Sequence, residues 1–227
     1  MDTEEFLPSV TASFAEAVGP EADAVVEEMD ARADREGFPT VGPAVGGWLR
    51  LLARAVDAER VFEFGSGYGY SAYWMAPALP PDGELVLTEF DEDELADARE
   101  YLERGGYADR AVFEAGDALA TVEGYRGPFD LVLLDHEKER YAEAFEAVRE
   151  KVPVGGVVCA DNAMTAGPIE FDALRRLVGG AEDADDVDTT DATRGIADYL
   201  ETVRADPAFE TTLLPLGEGL SVSIRVE

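Results

Sequence analysis

Asp135-His136-Glu137-Lys138 places a carboxylate, the chain's only imidazole and one of its two lysines directly after an apolar run, Phe129 to Leu134. Sixteen of the eighteen basic residues are arginine. A guanidinium stays protonated, whereas an amine exchanges its proton. A lysine retained where a strand ends therefore marks a candidate general base. A second apolar run, Val154 to Ala160, ends in Asp161-Asn162. If these strand ends are neighbours, Asp135, Asp161 and Asn162 converge. Two carboxylates and an amide carbonyl are hard oxygen donors suited to Mg2+ or Mn2+. Alone, Asp161-Asn162 reads as an ordinary turn; beside Asp135 and Lys138 it reads as part of a metal site. The ordinary fate of Lys138 is an ion pair with Glu139 or Glu143. His136, adjacent to Asp135 on a strand tip, points away from it and lines a neighbouring pocket.

Glu63-Phe64-Gly65-Ser66-Gly67-Tyr68-Gly69-Tyr70-Ser71 is a second candidate site. Glycines let a backbone turn tightly and approach a ligand, and the following helix offers free N–H groups. The dinucleotide fingerprint wants its third glycine where Tyr70 stands; here the third glycine is Gly69. A nicotinamide oxidoreductase is disfavoured on that ground. Further on, Thr88-Glu89-Phe90 ends a strand, where an acid can accept both ribose hydroxyls of a nucleoside. The plainer reading of Glu89 is a capping or solvated acid, since Asp91 to Glu94 follow. Gly116-Asp117-Ala118 falls at the base by the same logic, and Asp117 serves equally as a helix N-cap.

The elements that must hold these residues follow from hydrophobic periodicity. Helices are expected over Glu4–Val18, Glu21–Glu36 and Ala44–Val56, punctuated by Gly19-Pro20 and Gly37-Phe38-Pro39. From Arg60 strands and helices alternate. Strands are expected over Val61–Phe64, Glu84–Glu89, Ala111–Ala115, Asp130–Leu134 and Val154–Ala160. Helices are expected over Tyr70–Ala78, Asp91–Arg104, near Ala118, and over Lys138–Glu150, Ile169–Val178 and Thr193–Arg204. Such alternation implies a parallel sheet covered on both faces. Six of the residues from Ala181 to Asp191 are acidic, which reads as a solvated loop. Phe209–Leu214 and Leu220–Val226 flank Pro215-Leu216-Gly217-Glu218-Gly219 and make a closing antiparallel hairpin.

The glycine loop, with Glu63 before it, resembles the first motif of class I S-adenosylmethionine-dependent methyltransferases. Leu134-Asp135-His136-Glu137-Lys138-Glu139-Arg140-Tyr141 together with Ala160-Asp161-Asn162 resembles catechol O-methyltransferase and the caffeoyl-CoA-type and bacterial cation-dependent O-methyltransferases. The resemblance runs from about Phe38 through the hairpin. It implies a Rossmann-like, seven-stranded, mostly parallel sheet with an antiparallel C-terminal hairpin and helices on both faces. It also implies Asp135, Asp161 and Asn162 as magnesium ligands and Lys138 as base. S-adenosylmethionine would contact Val41, Glu63, Gly65, Ser66, Gly67, Tyr70, Ser71, Glu89, Phe90, Gly116, Asp117, Ala118, Asp135 and His136. The acceptor implied is a hydroxyl of a small vicinal diol. Two departures stand out. A family glutamate near the hairpin, which holds the unmethylated hydroxyl, aligns with Ser221, and a ring-gripping proline aligns with Ala166. Metal-independent methylation of another nucleophile, and cofactor binding without catalysis, are the competing readings. Many relatives are dimers, which makes the N-terminal helices a candidate homodimer interface.

At 227 residues the chain is expected to form one domain, with N-terminal helices over 1–58 and an α/β core over 59–227. Fifty acids against eighteen bases give a net charge of −32, which repels nucleic acid and anionic membranes. A lone Cys159 excludes an internal disulfide and fits a reducing cytosol. The start, Met-Asp-Thr-Glu-Glu, lacks a signal pattern, and no run of eighteen apolar residues occurs. A cytoplasmic location is expected. Acids everywhere, with arginine over lysine, resemble the proteins of salt-accumulating halophiles. The thermal midpoint is therefore expected to rise steeply with potassium chloride into the molar range. Full stability in dilute buffer would contradict that origin.

Overall fold

The computed structural model describes residues 9–180 and 187–227. The expected helical residues 4–8, and residues 181–186 of the expected acidic loop, lie outside the described residues. The strands are β1 (Arg60–Phe64), β2 (Glu84–Glu89), β3 (Ala111–Ala115), β4 (Leu131–Leu134), β5 (Val157–Ala160), β6 (Phe209–Leu214) and β7 (Leu220–Arg225). They form one sheet in the order β3-β2-β1-β4-β5-β7-β6. Strands β1 to β5 are mutually parallel, and β7 runs antiparallel to both β5 and β6. The order reverses between β1 and β4, so their carboxyl ends open a crevice.

Side chains alternate across the sheet. Leu131 and Leu133 join a core with α2 (Ala24–Glu36), α3 (Gly42–Ala55), α4 (Tyr70–Met75) and α5 (Glu92–Gly105). Val132 and Leu134 join the opposite core with α6 (Ala118–Glu123), α7 (Tyr141–Val148), α8 (Phe171–Val178) and α9 (Asp191–Ala205). Burial on both faces explains why the central strands read as unbroken apolar runs. Ahead of them, α1 (Ser9–Val18) leads to Pro20, which crosses α3 at Gly47. No helix among the described residues is long and apolar enough to cross a membrane.

Element ends shift where side chains intervene. β4 starts at Leu131; the Asp130 N–H before it still donates to Arg60 O at 2.9 Å, and its carboxylate accepts the N–H groups of Glu59 and Arg60, both at 2.9 Å. β5 starts at Val157 because Pro153 to Gly156 turn, leaving Val154 exposed. Val187 to Thr190 carry no regular structure, yet Val187 is buried. The helix expected from Lys138 is a tight 3-10 turn over Lys138–Arg140 that then widens into α7. Lys138 is thus held in a turn and not on a helical ramp.

That turn is seated on α9 at Gly195. A Cβ there would lie 2.3 Å from Glu139 Cα and 2.5 Å from the Lys138 carbonyl oxygen. Alanine favours helices over glycine by about 1 kcal/mol, but the overpacking costs about 1–3 kcal/mol, so the clash wins. Gly195→Ala is expected to lower the thermal midpoint by pushing the Lys138–Arg140 turn away from α9. An unchanged midpoint would show that the turn yields freely.

Candidate active site

The loop after β1 passes the end of β4 so closely that a Cβ on Gly65 would stand 2.7 Å from the Asp135 carbonyl oxygen. Gly65 also has φ +78°, so glycine is required twice over. Beneath the loop lies Glu63, fully buried, accepting a hydrogen bond from the Ser71 hydroxyl through Oε1 while Oε2 has no partner. Burial, with the charges of Asp135 and Glu89 adding to it, pushes its carboxyl up to about 8. At the tip of β2, Glu89 accepts the Gly67 N–H at 2.9 Å through one oxygen. Its other oxygen accepts the N–H groups of Phe90 at 2.8 Å and Asp91 at 3.1 Å. The carboxylate thus braces the loop and keeps further acceptor capacity.

Asp117 caps α6 through the Leu119 N–H at 2.9 Å and pairs with Arg140 at 3.2 Å. Burial works against it, but Arg140 and the capping N–H hold its carboxyl below the usual value. His136 lies between the rings of Phe64 and Tyr141, stacked 5.2 Å from the latter. Neither ring nitrogen has a hydrogen-bond partner. Burial, followed by the charges of Lys138 and Arg140, depresses its pKa to about 3, so the imidazole stays neutral.

At the ends of β4 and β5, the Lys138 amine donates to Asp135 Oδ1 and to the Tyr141 hydroxyl, each at 2.9 Å. Tyr141 in turn donates to the Asp161 carbonyl oxygen at 3.2 Å. The expected partners Glu139 and Glu143 are not used by Lys138; Arg140 takes Glu143. Burial pushes the Asp135 carboxyl up, against the pull of Lys138. Burial and the negative charge of Asp135 push Asp161 well above the carboxylate range, and Asp161 Oδ1 is a buried atom without a partner. Asn162 sits at φ +56°, a strained position that short polar side chains tolerate. Its amide N–H donates to Glu218, which leaves the carbonyl oxygen as the free end. Burial raises the Glu218 carboxyl, with that hydrogen bond opposing it.

A cavity of about 550 Å³ gathers these groups. Every site residue named from the sequence lines it except Glu63, which lies below the floor. The two positions singled out by alignment fall differently in the structure. Ser221 is fully buried in β7 opposite Ala160 and does not line the cavity; Glu218, three residues earlier in the hairpin turn, does. Ala166 lines the cavity together with Pro168, so a proline is present two residues beyond the aligned position. Reasoning from sequence also missed Phe38 and Glu94, which line the cavity, and Tyr141, which stands behind its lining and accepts from Lys138. For Tyr141 the signal was available: three residues beyond Lys138 is one helical turn. Among the described residues no three or more His, Cys, Asp or Glu side chains are grouped to hold a metal ion. The trio named from the sequence has two carboxylates and an amide.

The model of the O-methyltransferase family matches residues 23–226. A catechol O-methyltransferase of Niastella koreensis is 30% identical over 219 residues, covering 93% of this chain and 92% of the relative. A caffeoyl-CoA O-methyltransferase of Eucalyptus gunnii is 27% identical, covering 80% of this chain and 72% of its own length. Among solved structures, an O-methyltransferase from Streptomyces achromogenes involved in tomaymycin synthesis, in complex with S-adenosylmethionine, matches with a TM-score of 0.80 at 26% identity, both chains covered in full. One from Bacillus cereus, in complex with S-adenosylhomocysteine, matches with a TM-score of 0.78 at 25% identity, over 95% of this chain and 97% of its own.

Glu63 yields a pH test. Its folded-state pKa stands raised from 4.5 to about 8, so the folded protein holds this proton more tightly than the unfolded chain. The stability it contributes is complete below pH 4.5 and is lost as the pH rises through about 8. Glu63→Gln, neutral throughout, is expected to flatten the fall of the thermal midpoint across that window in ligand-free protein. An equally steep fall in the variant would refute the assignment.

Proposed function

This chain belongs to the O-methyltransferase family and is an S-adenosylmethionine-dependent enzyme, and we propose that it methylates one hydroxyl of a small, catechol-like vicinal diol. Lys138 is the general base, and Asp135, Asp161 and Asn162 hold a divalent cation, magnesium or manganese. The observation that carries this reading is the amine of Lys138, fixed 2.9 Å from Asp135 in the same cavity as the glycine loop.

The residues fit a cation. Asp161 Oδ1 is buried and unpartnered, both carboxyls are pushed up by burial, and the Asn162 carbonyl oxygen is free. When bound, the cation stabilises the ionised form of the substrate hydroxyl. The cofactor supplies a methyl carbon made electrophilic by a positively charged sulfur. The hydroxyl oxygen forms a bond to that carbon as the carbon–sulfur bond breaks with its electron pair going to sulfur. The hydroxyl proton passes to Lys138 Nζ. Glu89 accepts from the ribose, the loop N–H groups and the flank of His136 position the nucleoside, and the acids around the loop favour a cationic ligand. Glu218 holds the second hydroxyl, and Pro168 packs on the ring. The loop and the floor therefore contribute chiefly by orientation.

A second reading, metal-independent methylation of another nucleophile, is favoured by the Lys138–Asp135 ion pair, which already satisfies one carboxylate oxygen. Methyl transfer from labelled S-adenosylmethionine to a panel of vicinal diphenols, in molar potassium chloride with magnesium or with excess chelator, separates the two. Loss on chelation and recovery with metal is expected; chelator-insensitive transfer selects the second reading. Lys138→Ala is expected to lose roughly 100-fold or more in kcat while cofactor affinity, measured by calorimetry, is kept. Turnover near the parent value would remove lysine from the mechanism.

A further inference from the structure

Tyr141 has a hydroxyl that no surface role explains. The residue is fully buried, its ring stacks on His136, and an edge-on contact with Tyr199 fixes it from the α9 side. Its hydroxyl lies between Lys138 Nζ at 2.9 Å and the Asp161 carbonyl oxygen at 3.2 Å. A carbonyl oxygen only accepts, so the hydroxyl hydrogen must point at Asp161. The hydroxyl oxygen is then left to accept from Lys138.

The consequence lies at the amine. Nitrogen in a lysine is tetrahedral, with three positions beyond its stem. Asp135 Oδ1 takes one N–H and Tyr141 takes a second. One position remains, and Lys138 lines the cavity. In the neutral amine that position is the lone pair; in the ammonium it is the proton just received. We propose that Tyr141 is a positioning residue: its hydroxyl, tied to the β5 end, locks the rotation of the Lys138 amine so that its one free position faces the substrate. The inference rests on Lys138 being the base, as proposed above.

Tyr141→Phe deletes the hydroxyl and keeps the ring against His136. It is expected to lower kcat roughly ten- to a hundredfold, with acceptor KM and calorimetric cofactor affinity unchanged. In a Lys138→Ala background the same substitution is expected to cause no further loss, since a residue acting only through the amine has nothing left to orient. Equal losses in both backgrounds would overturn the proposal in favour of support for the fold, as would a parental kcat in Tyr141→Phe. If Lys138→Ala alone stays active, the base assignment fails and this inference with it. If Lys138→Ala is dead while Tyr141→Phe is active, only this inference fails. A fluorinated tyrosine at 141, which keeps the volume and weakens the hydroxyl as an acceptor, gives the same reading should the phenylalanine variant unfold.

Discussion

Asp135 and Asp161 each continue the backbone ladder one residue past the strand that delivers them. The Asp135 N–H donates to Phe64 O at 2.9 Å, and the Asp161 N–H to Leu134 O at 3.0 Å. This in-register ending of β1, β4 and β5 is the constraint on which the site depends. It sets two carboxylates side by side at the crevice where the strand order reverses, directly under the glycine loop. A one-residue slip in a sheet turns each side chain to the other face. Here a slip of β5 would send Asp161 into the core and bring Asn162 alone to the crevice. The pairing is held by apolar burial on both faces, Leu133 and Cys159 on one side, Leu134 and Ala160 on the other. Core packing far from solvent therefore decides the geometry of the polar groups.

Placing acids there has an energetic cost. An ionised carboxylate loses several kcal/mol when taken from water without compensation, and Glu63, Asp135 and Asp161 are all raised by burial. Only one cation of the chain, Lys138, pairs with any of these three among the described residues. The shortfall of positive charge has a direction: before any ligand enters, burial favours the protonated, neutral forms of these carboxyls over their ionised ones. A sulfonium donor and a divalent cation both correct that deficit, which ties the electrostatics of the crevice to the proposed chemistry. Net surface charge adds a separate, long-range field that salt screens, whereas the buried groups interact at distances too short for salt to reach.

Strand identity was legible because doubly buried strands leave unbroken apolar runs, and the glycine loop was legible because its backbone excludes side chains. Ends were less so. At the start of β4 the Asp130 carboxylate accepts two N–H groups from Glu59 and Arg60, a contact between elements distant in sequence that no local pattern displays. The hairpin misled for a geometric reason. Matching Gly219-Leu220 by sequence put Ser221 at the site, but the left-handed turn through Gly217 and Gly219 presents Glu218, and β7 has already buried Ser221. Gly195 carried no readable signal, since its role is to let Glu139 approach from an element distant in sequence.

The near-loss of lysine gains a physical meaning from where the two survivors stand. Lys151 donates to the Val122 carbonyl oxygen, a single acceptor, from a partly buried position next to the tight approach of Gly127. Lys138 donates to two acceptors that diverge from one nitrogen, a carboxylate oxygen and a phenol. A guanidinium presents its donors in one plane and spreads its charge over a wide fork. Its donors stay in that plane, whereas those of an amine diverge tetrahedrally from a single nitrogen. Elsewhere arginine meets carboxylates at the surface, where a fork is an advantage: Arg104 with Glu28, Arg60 with Glu84. The composition therefore separates two demands. Surface pairing in an acid-rich chain falls to arginine, and at Lys138 a single nitrogen meets a carboxylate and a phenol at once, the arrangement on which its proposed role rests.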